Sequence, residues 1–435
     1  KAAKGFDYQT QTTNSFNLTK DDIVVNIYQP KSRFITTVFD PLSKIPDSLT
    51  YDITAWNLMY ANNLKAFALN ERINVGKVFQ TKLADNTEVT AKPYAYIFKY
   101  QDLKDVTFLS TLMKKGFKVR SASKAFAVNG QSFDAGTLLV TRRNNESIQN
   151  FDAALQSLAK EADRKIYTTT TGFVERGKDF GSSDVRFLKA PKIAMLIGEQ
   201  TSSLSAGEIW HFFEQQIQYP ITQLGTDYFK NVDLKKYDVL VIPEGYYKLF
   251  DESTLESVSS WVSDGGKLIV IANALNSFAD KKGFALKAFA TEAEKTEAEK
   301  KEKEQKEKDN LIHYEDVERK QLSNSISGAV YKVTLDASHP LAFGLNGSYY
   351  TLKTNELRFG FLEDGWNVGV LKGKVKPVQG FTGNSVNKKM ENSLVFGVEE
   401  KGKGSVIYFV DNPLFRCFWE NGKMVFANAV FVVGQ

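Results

Sequence analysis

At 435 residues, 42% hydrophobic and 25% charged, the chain is an ordinary globular sequence with room for two or three hydrophobic cores. Its net charge of +5 is spread thinly and gathers into no basic stripe, which argues against a nucleic-acid partner. No apolar run approaches bilayer-spanning length, so a soluble body without a membrane span is expected. The sequence opens at Lys1 without a signal peptide, as a processed or truncated chain would.

In chain order, residues 23–27 read as a strand. Phe34, Ile35, Val38 and Phe39 recur at helical spacing after Pro30, and Pro41 stops that helix. Residues 50–69 carry Tyr51, Ile53, Trp56, Met59, Tyr60 and Leu64, the pattern of a helix with an aromatic face. From residue 94 the pattern sharpens: a strand over 94–98, a helix over 102–115 ended by Gly116, and a strand over 117–120. A hairpin over 125–140 turns at Asn129-Gly130, and an amphipathic helix over 148–162 follows. Residues 168–183, rich in Thr, Gly and Ser, lead to a domain boundary near 185–191.

Residues 191–274 hold the clearest signal. Apolar runs at 193–198, 238–243 and 267–274 alternate with helical patterns at 204–217 and 251–263, as a parallel sheet covered on both faces requires. Such sheets place their chemistry at the carboxyl ends of the strands. Those ends read Gly198-Glu199-Gln200, Glu244-Gly245-Tyr246 and Ala274-Leu275-Asn276, with no Cys or Ser in a Gly-x-Cys/Ser-x-Gly elbow. Residues 287–310 form a low-complexity run in which Glu297 and Lys301, Glu299 and Lys303, Glu302 and Lys306, and Glu304 and Lys308 pair at i,i+4. A solvated helix or charged insertion is expected there. Residues 330–335, 394–398 and 405–410 are strand-like. Gly402, Gly404 and residues 405–411 read as a last hairpin and strand, and 424–433 as a final apolar segment.

Three groups of residues carry possible chemistry. His211 and Glu214 form a His-x-x-Glu pattern that a distant His339 would complete as a zinc site, but Trp210, Phe213 and Ile217 claim the inner face of the same helix. Ser203 and Ser205 follow the first parallel strand, where backbone N–H groups could meet an anion; capping of the next helix accounts for the serines more simply. Glu199, Glu244 and Asp411 fall at strand ends and could converge as acid–base groups in one pocket. Cys417, the single cysteine, cannot form an intramolecular disulfide, and its aromatic surroundings suit a small buried hydrophobe.

Several segments, taken together and in order, resemble the carboxy-terminal, non-peptidase half of bacterial secreted zinc carboxypeptidases of the carboxypeptidase A superfamily. They are Tyr28-Gln29-Pro30-Lys31, SLTYDITAW at 48–56, KIAMLIG followed by EIWHFFEQ, the stretch 314–345, and YFVDNPLFRCFW at 408–419. The resemblance implies a class I glutamine amidotransferase-like domain from about Lys192 onward and a zinc peptidase domain as the preceding partner. It implies a periplasmic or extracellular location, and that His211 and Glu214 are not the zinc motif. At the expected nucleophile elbow stand Ala274-Leu275, and near the end of the domain Asp411-Asn412-Pro413 instead of His-x-Glu, so glutaminase activity is not expected.

The expectation is two α/β domains, 1–187 and 188–435. The second is a flavodoxin- or amidotransferase-like parallel sheet with helices on both faces and the charged insertion at 287–310. The function expected is a non-catalytic accessory region, without cofactor or metal, that supports a peptidase domain or binds a partner. Two alternatives stay open. One is a stand-alone hydrolase or amidotransferase-like enzyme using the strand-end carboxylates with Ser203 or Ser205. The other is a peptide- or glycan-binding module in which Trp56, Trp210, Trp366 and the Tyr246-Tyr247 pair stack on the ligand.

Overall fold

The computed structural model describes residues 2–42, 55–74, 76–81, 84, 92–289, 296, 300 and 313–434. Strands β1 (Ala2–Asp7), β2 (Thr12–Asn17) and β3 (Phe67–Ala68) form a small antiparallel sheet. Between them, helix α1 (Ser32–Val38) stops short of Pro41, as its spacing predicts. The strand expected over 23–27 does not form. Ile23, Val25 and Ile27 lie in irregular, exposed chain, because no neighbouring strand offers them a ladder. Of the helix expected over 50–69, residues 50–54 lie outside the described residues, and the remainder holds α2 (Leu58–Ala61). Its start is fixed by Asn57, whose Oδ1 accepts from the Met59 N–H at 2.7 Å. It ends where Asn63 turns left-handed at φ 52°.

A second sheet contains β4 (Ala95–Phe98), β5 (Arg120–Ala122), β8 (Leu138–Thr141), β9 (Tyr167–Thr169) and β10 (Val185–Phe187), all antiparallel, in the order β10-β5-β8-β4-β9. Beside it lies the hairpin of β6 (Phe126–Val128) and β7 (Gln131–Phe133), turning at Asn129-Gly130 as expected. Helices α3 (Leu103–Lys114) and α4 (Phe151–Glu161) cover one face of this sheet. Helix α3 starts where Asp102 accepts from the Asp105 N–H and the Asp105 carboxylate accepts from the Asp102 N–H, a reciprocal capping box.

The large sheet has a parallel part and an antiparallel part. Strands β11 (Ile193–Ile197), β12 (Thr222–Gly225), β13 (Val239–Ile242), β14 (Lys267–Ile271) and β20 (Gly404–Phe409) run parallel in the order β12-β11-β13-β14-β20. The sheet continues antiparallel through β19 (Ser393–Lys401), β17 (Trp366–Leu371), β15 (Ile326–Leu335) and β16 (Tyr349–Lys353), with β18 (Gln379–Thr382) also pairing β15. Side chains alternate across it. Met195, Val241 and Ile269 pack under α5 (Ser203–His211) and the last helix, whereas Leu196, Leu240 and Val270 pack under α6 (Glu252–Ser263). Helices α7 (Tyr314–Ser323) and α8 (Asn384–Lys389) border the antiparallel part.

The apolar segment at 424–433 is helix α9 (Glu420–Phe431), which is buried on nearly every side, the condition under which a helix has no polar face. It joins the two larger sheets into one core: α3, α5 and α9 all contribute to the same buried cluster. Polar contacts reinforce that junction. Ser110 Oγ donates to the Ile217 carbonyl at 2.7 Å, and the buried Asn428 carboxamide donates to the Leu341 and Phe343 carbonyls. The charged run at 287–310 falls almost wholly outside the described residues. Among the described residues no helix is long and apolar enough to cross a membrane.

Candidate functional site

The carboxyl ends of β11 and β13 meet above the parallel sheet. Strand β11 ends into Gly198, whose φ of +116° and 2.6 Å gap between a notional Cβ and Thr226 Oγ1 admit no side chain. The chain then reaches Ser202, the N-cap of α5, whose Oγ accepts from the Ser205 N–H at 3.4 Å. The loop after β13 is tied to this segment at many points. Thr201 and Gly245 form an antiparallel bridge, the Ser202 N–H donates to the Glu244 carbonyl at 2.8 Å, and the Tyr246 N–H donates to the Gln200 carbonyl at 3.0 Å. The Glu244 N–H donates to the buried Ser205 Oγ at 3.1 Å. The Tyr247 hydroxyl bonds the Pro243 carbonyl at 2.9 Å and Thr201 Oγ1 at 3.2 Å. Gln200 Oε1 accepts from the Lys248 and Leu249 N–H groups. A Cβ at Gly245 would collide with the Gln200 carbonyl, so the two loops touch backbone to backbone.

A polar cluster lies beside this junction. Beyond β14, Ala272 adopts a left-handed φ of 51°, a sterically costly state for alanine, and delivers Asn273 to Glu244. The Asn273 carboxamide donates to Glu244 Oε1 at 3.0 Å and to the Tyr246 hydroxyl at 3.3 Å. Beyond β20, the Asn412 carboxamide donates to Glu208 Oε2 at 2.5 Å and the Arg416 N–H to Glu208 Oε1 at 2.6 Å. Burial pushes the Glu208 carboxyl above the usual range; those two hydrogen bonds oppose the shift and the charge of Glu244 adds to it. Burial likewise raises Glu244. The pair can therefore hold a proton to higher pH than free glutamates do, the electrostatic requirement for a carboxylic acid that donates.

The sequence-derived candidates separate. Glu199 and Ser203 are exposed, and Ser205 is buried as an acceptor for the loop opposite. Glu244 joins the polar cluster. Asp411 does not: its carboxylate accepts from Thr351 Oγ1 at 2.7 Å and pairs with Lys353 Nζ at 2.8 Å, on the antiparallel side. The convergence expected of Glu199, Glu244 and Asp411 thus fails, because a buried lysine on β16 captures Asp411. The elbow expected at Ala274-Leu275 lies at Ala272, since β14 ends at Ile271. Glu208 and Asn273 carry no motif in the sequence, and Asn412 stands out there only as part of Asp411-Asn412-Pro413. Glu208 sits three residues after Ser205, one helical turn along the same face, and that spacing was the available signal.

His211 and Glu214 are exposed on α5 and its continuation. His339 caps a 3₁₀ turn with Nδ1 accepting from the Leu341 N–H at 3.0 Å; burial lowers its pKa to about 4, so it is neutral at physiological pH. Among the described residues no group of three or more His, Cys, Asp or Glu is arranged to hold a metal. Cys417, expected to be buried, is half-buried and shares a left-handed turn with Arg416, at φ 58° and 47°. Burial pushes the Cys417 thiol up, and Glu208 adds to that shift. The proposed stacking rings are dispersed. Trp56 contacts both Phe418 and the Arg416 guanidinium, Trp366 lies against His339, and Tyr247 is buried. Among the described residues no ring contact joins Trp56, Trp210, Trp366 and Tyr246 into one platform.

No protein-family profile matches the chain, and no curated protein matches it. Solved structures found similar include an exo-β-1,4-mannosidase from Opitutaceae bacterium strain TAV5, at 10% identity over 56% of this chain and 36% of that one, with a TM-score of 0.28. A GH42 β-galactosidase from G. stearothermophilus aligns at 10% identity over 61% and 32%, with a TM-score of 0.27. A β-galactosidase from Bacillus circulans sp. alkalophilus aligns at 11% identity over 55% and 30%, also with a TM-score of 0.27. The chain spans about a third of the length of these structures, and likeness at this level transfers neither fold nor activity. The resemblance to secreted zinc carboxypeptidases and to amidotransferases is corrected: no family profile and no curated protein supports it, and the similar structures named are glycoside hydrolases. The peptidase partner and the periplasmic or extracellular location were inferred from that resemblance alone and lose that support.

Proposed function

We propose that this chain is a non-catalytic α/β body that provides structural support or a docking face for other protein, rather than turning over a substrate. Counted along the chain, its five parallel strands lie in the spatial order second, first, third, fourth, fifth, the order a flavodoxin-like sheet would have, which supports that reading. In such sheets ligands enter the crevice where the strand order reverses, here between β11 and β13. The observation that carries the proposal is that the chain's own hydrogen bonds cross this crevice, from Gln200, Thr201, Ser202 and Ser205 to Glu244, Gly245, Tyr246 and Tyr247. A ligand entering there would have to break backbone pairs that nothing else is positioned to replace. Treatment of the native protein with a fluorophosphonate probe, followed by peptide mapping, tests this. Ser203 and Ser205 should remain unlabelled, and Ser205→Ala should lower Tm. Stoichiometric labelling of either serine would defeat the proposal.

One observation favours a second reading, a hydrolase built on two carboxyls. Burial holds Glu208 and Glu244 both toward the protonated form, and the charge of Glu244 adds to the shift of Glu208. Under this reading, turnover of generic ester or glycoside substrates would follow a pH profile set by the pair, and both Glu208→Gln and Glu244→Gln would abolish it. No turnover above blank in the wild type returns the decision to the non-catalytic body.

A further inference from the structure

The chain contains three Asn-Gly pairs, and their surroundings separate them chemically. In an Asn-Gly pair the glycine nitrogen can attack the asparagine side-chain carbonyl, with no Cβ to obstruct its approach. The new N–C bond displaces the side-chain nitrogen as ammonia, which carries off the glycine N–H proton. Water then opens the five-membered imide at one of its two carbonyls, leaving aspartate or isoaspartate. Asparagine and water are consumed, ammonia is released, and nothing is oxidised or reduced.

Two of the pairs occupy the same kind of turn. Asn129-Gly130 joins β6 to β7 with φ of 53° and 68°, and Asn346-Gly347 precedes β16 with φ of 51° and 74°, closed by the Ser348 N–H to the Leu345 carbonyl. Both pairs are exposed. They differ in what holds them. At the first, the Gly130 N–H donates to the Glu175 carboxylate at 3.1 and 3.2 Å, and the Asn129 carboxamide donates to the Thr168 carbonyl at 3.0 Å. The attacking nitrogen and the leaving amide are both engaged. At the second, neither the Asn346 carboxamide nor the Gly347 N–H has a hydrogen-bond partner among the described residues, and a Cβ on Gly347 would meet nothing within 4 Å. The third pair, Asn421-Gly422, is locked in α9, with the buried Asn421 carboxamide bonded to Tyr60, Ala61 and Tyr350.

We infer that Asn346 is a site of spontaneous modification in the folded protein, converting to aspartate and isoaspartate, whereas Asn129 and Asn421 are protected. Conversion acts on an anchor of the fold. The Leu345 and Ser348 carbonyls of this turn accept from the Asn63 carboxamide at 3.1 and 2.8 Å, and Ser348 Oγ donates to Asn63 Oδ1 at 2.7 Å. Isoaspartate adds a backbone atom to the turn and a negative charge beside it, loosening the tie between Asn63 and the large sheet.

The native protein is incubated at mildly alkaline pH, and isoaspartate and the amide-to-acid mass change are mapped by peptide at intervals. Asn346 should convert on the order of tenfold faster than Asn129, because the hydrogen bonds at Asn129 must open first. Asn421 should stay silent. In urea-unfolded chain the Asn346 to Asn129 ratio should fall toward one. Glu175→Ala, at an exposed position, should bring native Asn129 toward the Asn346 rate. A native ratio under about threefold, or a tenfold ratio that persists in urea, overturns the inference, since the turn environment would then not govern the reaction.

Discussion

The ion pair between Lys353 and Asp411 offers the sharpest test of how the antiparallel half of the large sheet is attached to the parallel half. The Lys353 side chain is 0% exposed and that of Asp411 7%, with Nζ and Oδ1 2.8 Å apart. At that distance and an effective dielectric of about 20, the attraction is about 6 kcal/mol, and the several kcal/mol needed to dehydrate each ion cancels most of it. The pair as a whole therefore adds little, but each half depends on the other. Lys353→Met would leave Asp411 with only the Thr351 hydroxyl, and Asp411→Leu would leave Lys353 with only the Leu357 carbonyl. Each single substitution should cost about 3–5 kcal/mol, as an unpaired buried charge does. The double variant Lys353→Met/Asp411→Leu should lie within about 1 kcal/mol of wild type. Urea unfolding of all four proteins, followed by fluorescence with slopes compared, measures the cycle. A single variant costing under about 1 kcal/mol, or a double variant costing the sum of the singles, would refute the reasoning.

Burial lowers the pKa of Lys267 from 10.5 to about 7, and its amine donates to the Val430 carbonyl near the end of α9. Between those values the unfolded chain binds the extra proton, so stability should rise with pH from about 7 toward 10.5, by several kcal/mol in order of magnitude. Lys267→Met should flatten that rise when urea midpoints are compared across pH. Gly245→Ala forces a methyl group against the Gln200 carbonyl and should destabilise by roughly 1–3 kcal/mol. Hydrogen exchange should then rise in the loops after β11 and β13, and unchanged exchange there would mean that the loops are not coupled. Native Cys417 should react slowly with iodoacetamide and rapidly in urea, because burial and Glu208 disfavour its thiolate. Glu208→Gln should speed the native reaction severalfold, and an unchanged rate would remove Glu208 from the thiol's environment.

Much of the central architecture was legible from local pattern. The alternation of apolar runs and amphipathic segments over 191–274 became β11, α5, β13, α6 and β14, because a strand buried on both faces must be continuously apolar and its crossover helix must be two-faced. The start of α3 and the β6–β7 hairpin follow from side chains within four residues of each terminus or turn. The pattern failed where ordering depends on a remote partner. The apolar residues at 23–27 satisfy strand propensity yet find no strand to pair with. Strands β12, β16, β17 and β18 were not read at all, since their mixed polarity takes its meaning only from neighbours far along the chain.

The same division holds for the site. Glu244 was legible because it ends a recognisable strand, and Ser202 caps the helix that follows the first one. That Asp411 turns away to Lys353, that Glu208 faces Asn412, and that Ser205 supports the loop after β13 are contacts between residues 39 to 204 positions apart. Hydrophobic periodicity reports which side of an element is buried, and it is a local property carried by the sequence itself. Which buried charge finds which partner depends on strand order and register, and the tertiary structure alone decided that the loops after β11 and β13 are tied to one another by hydrogen bonds.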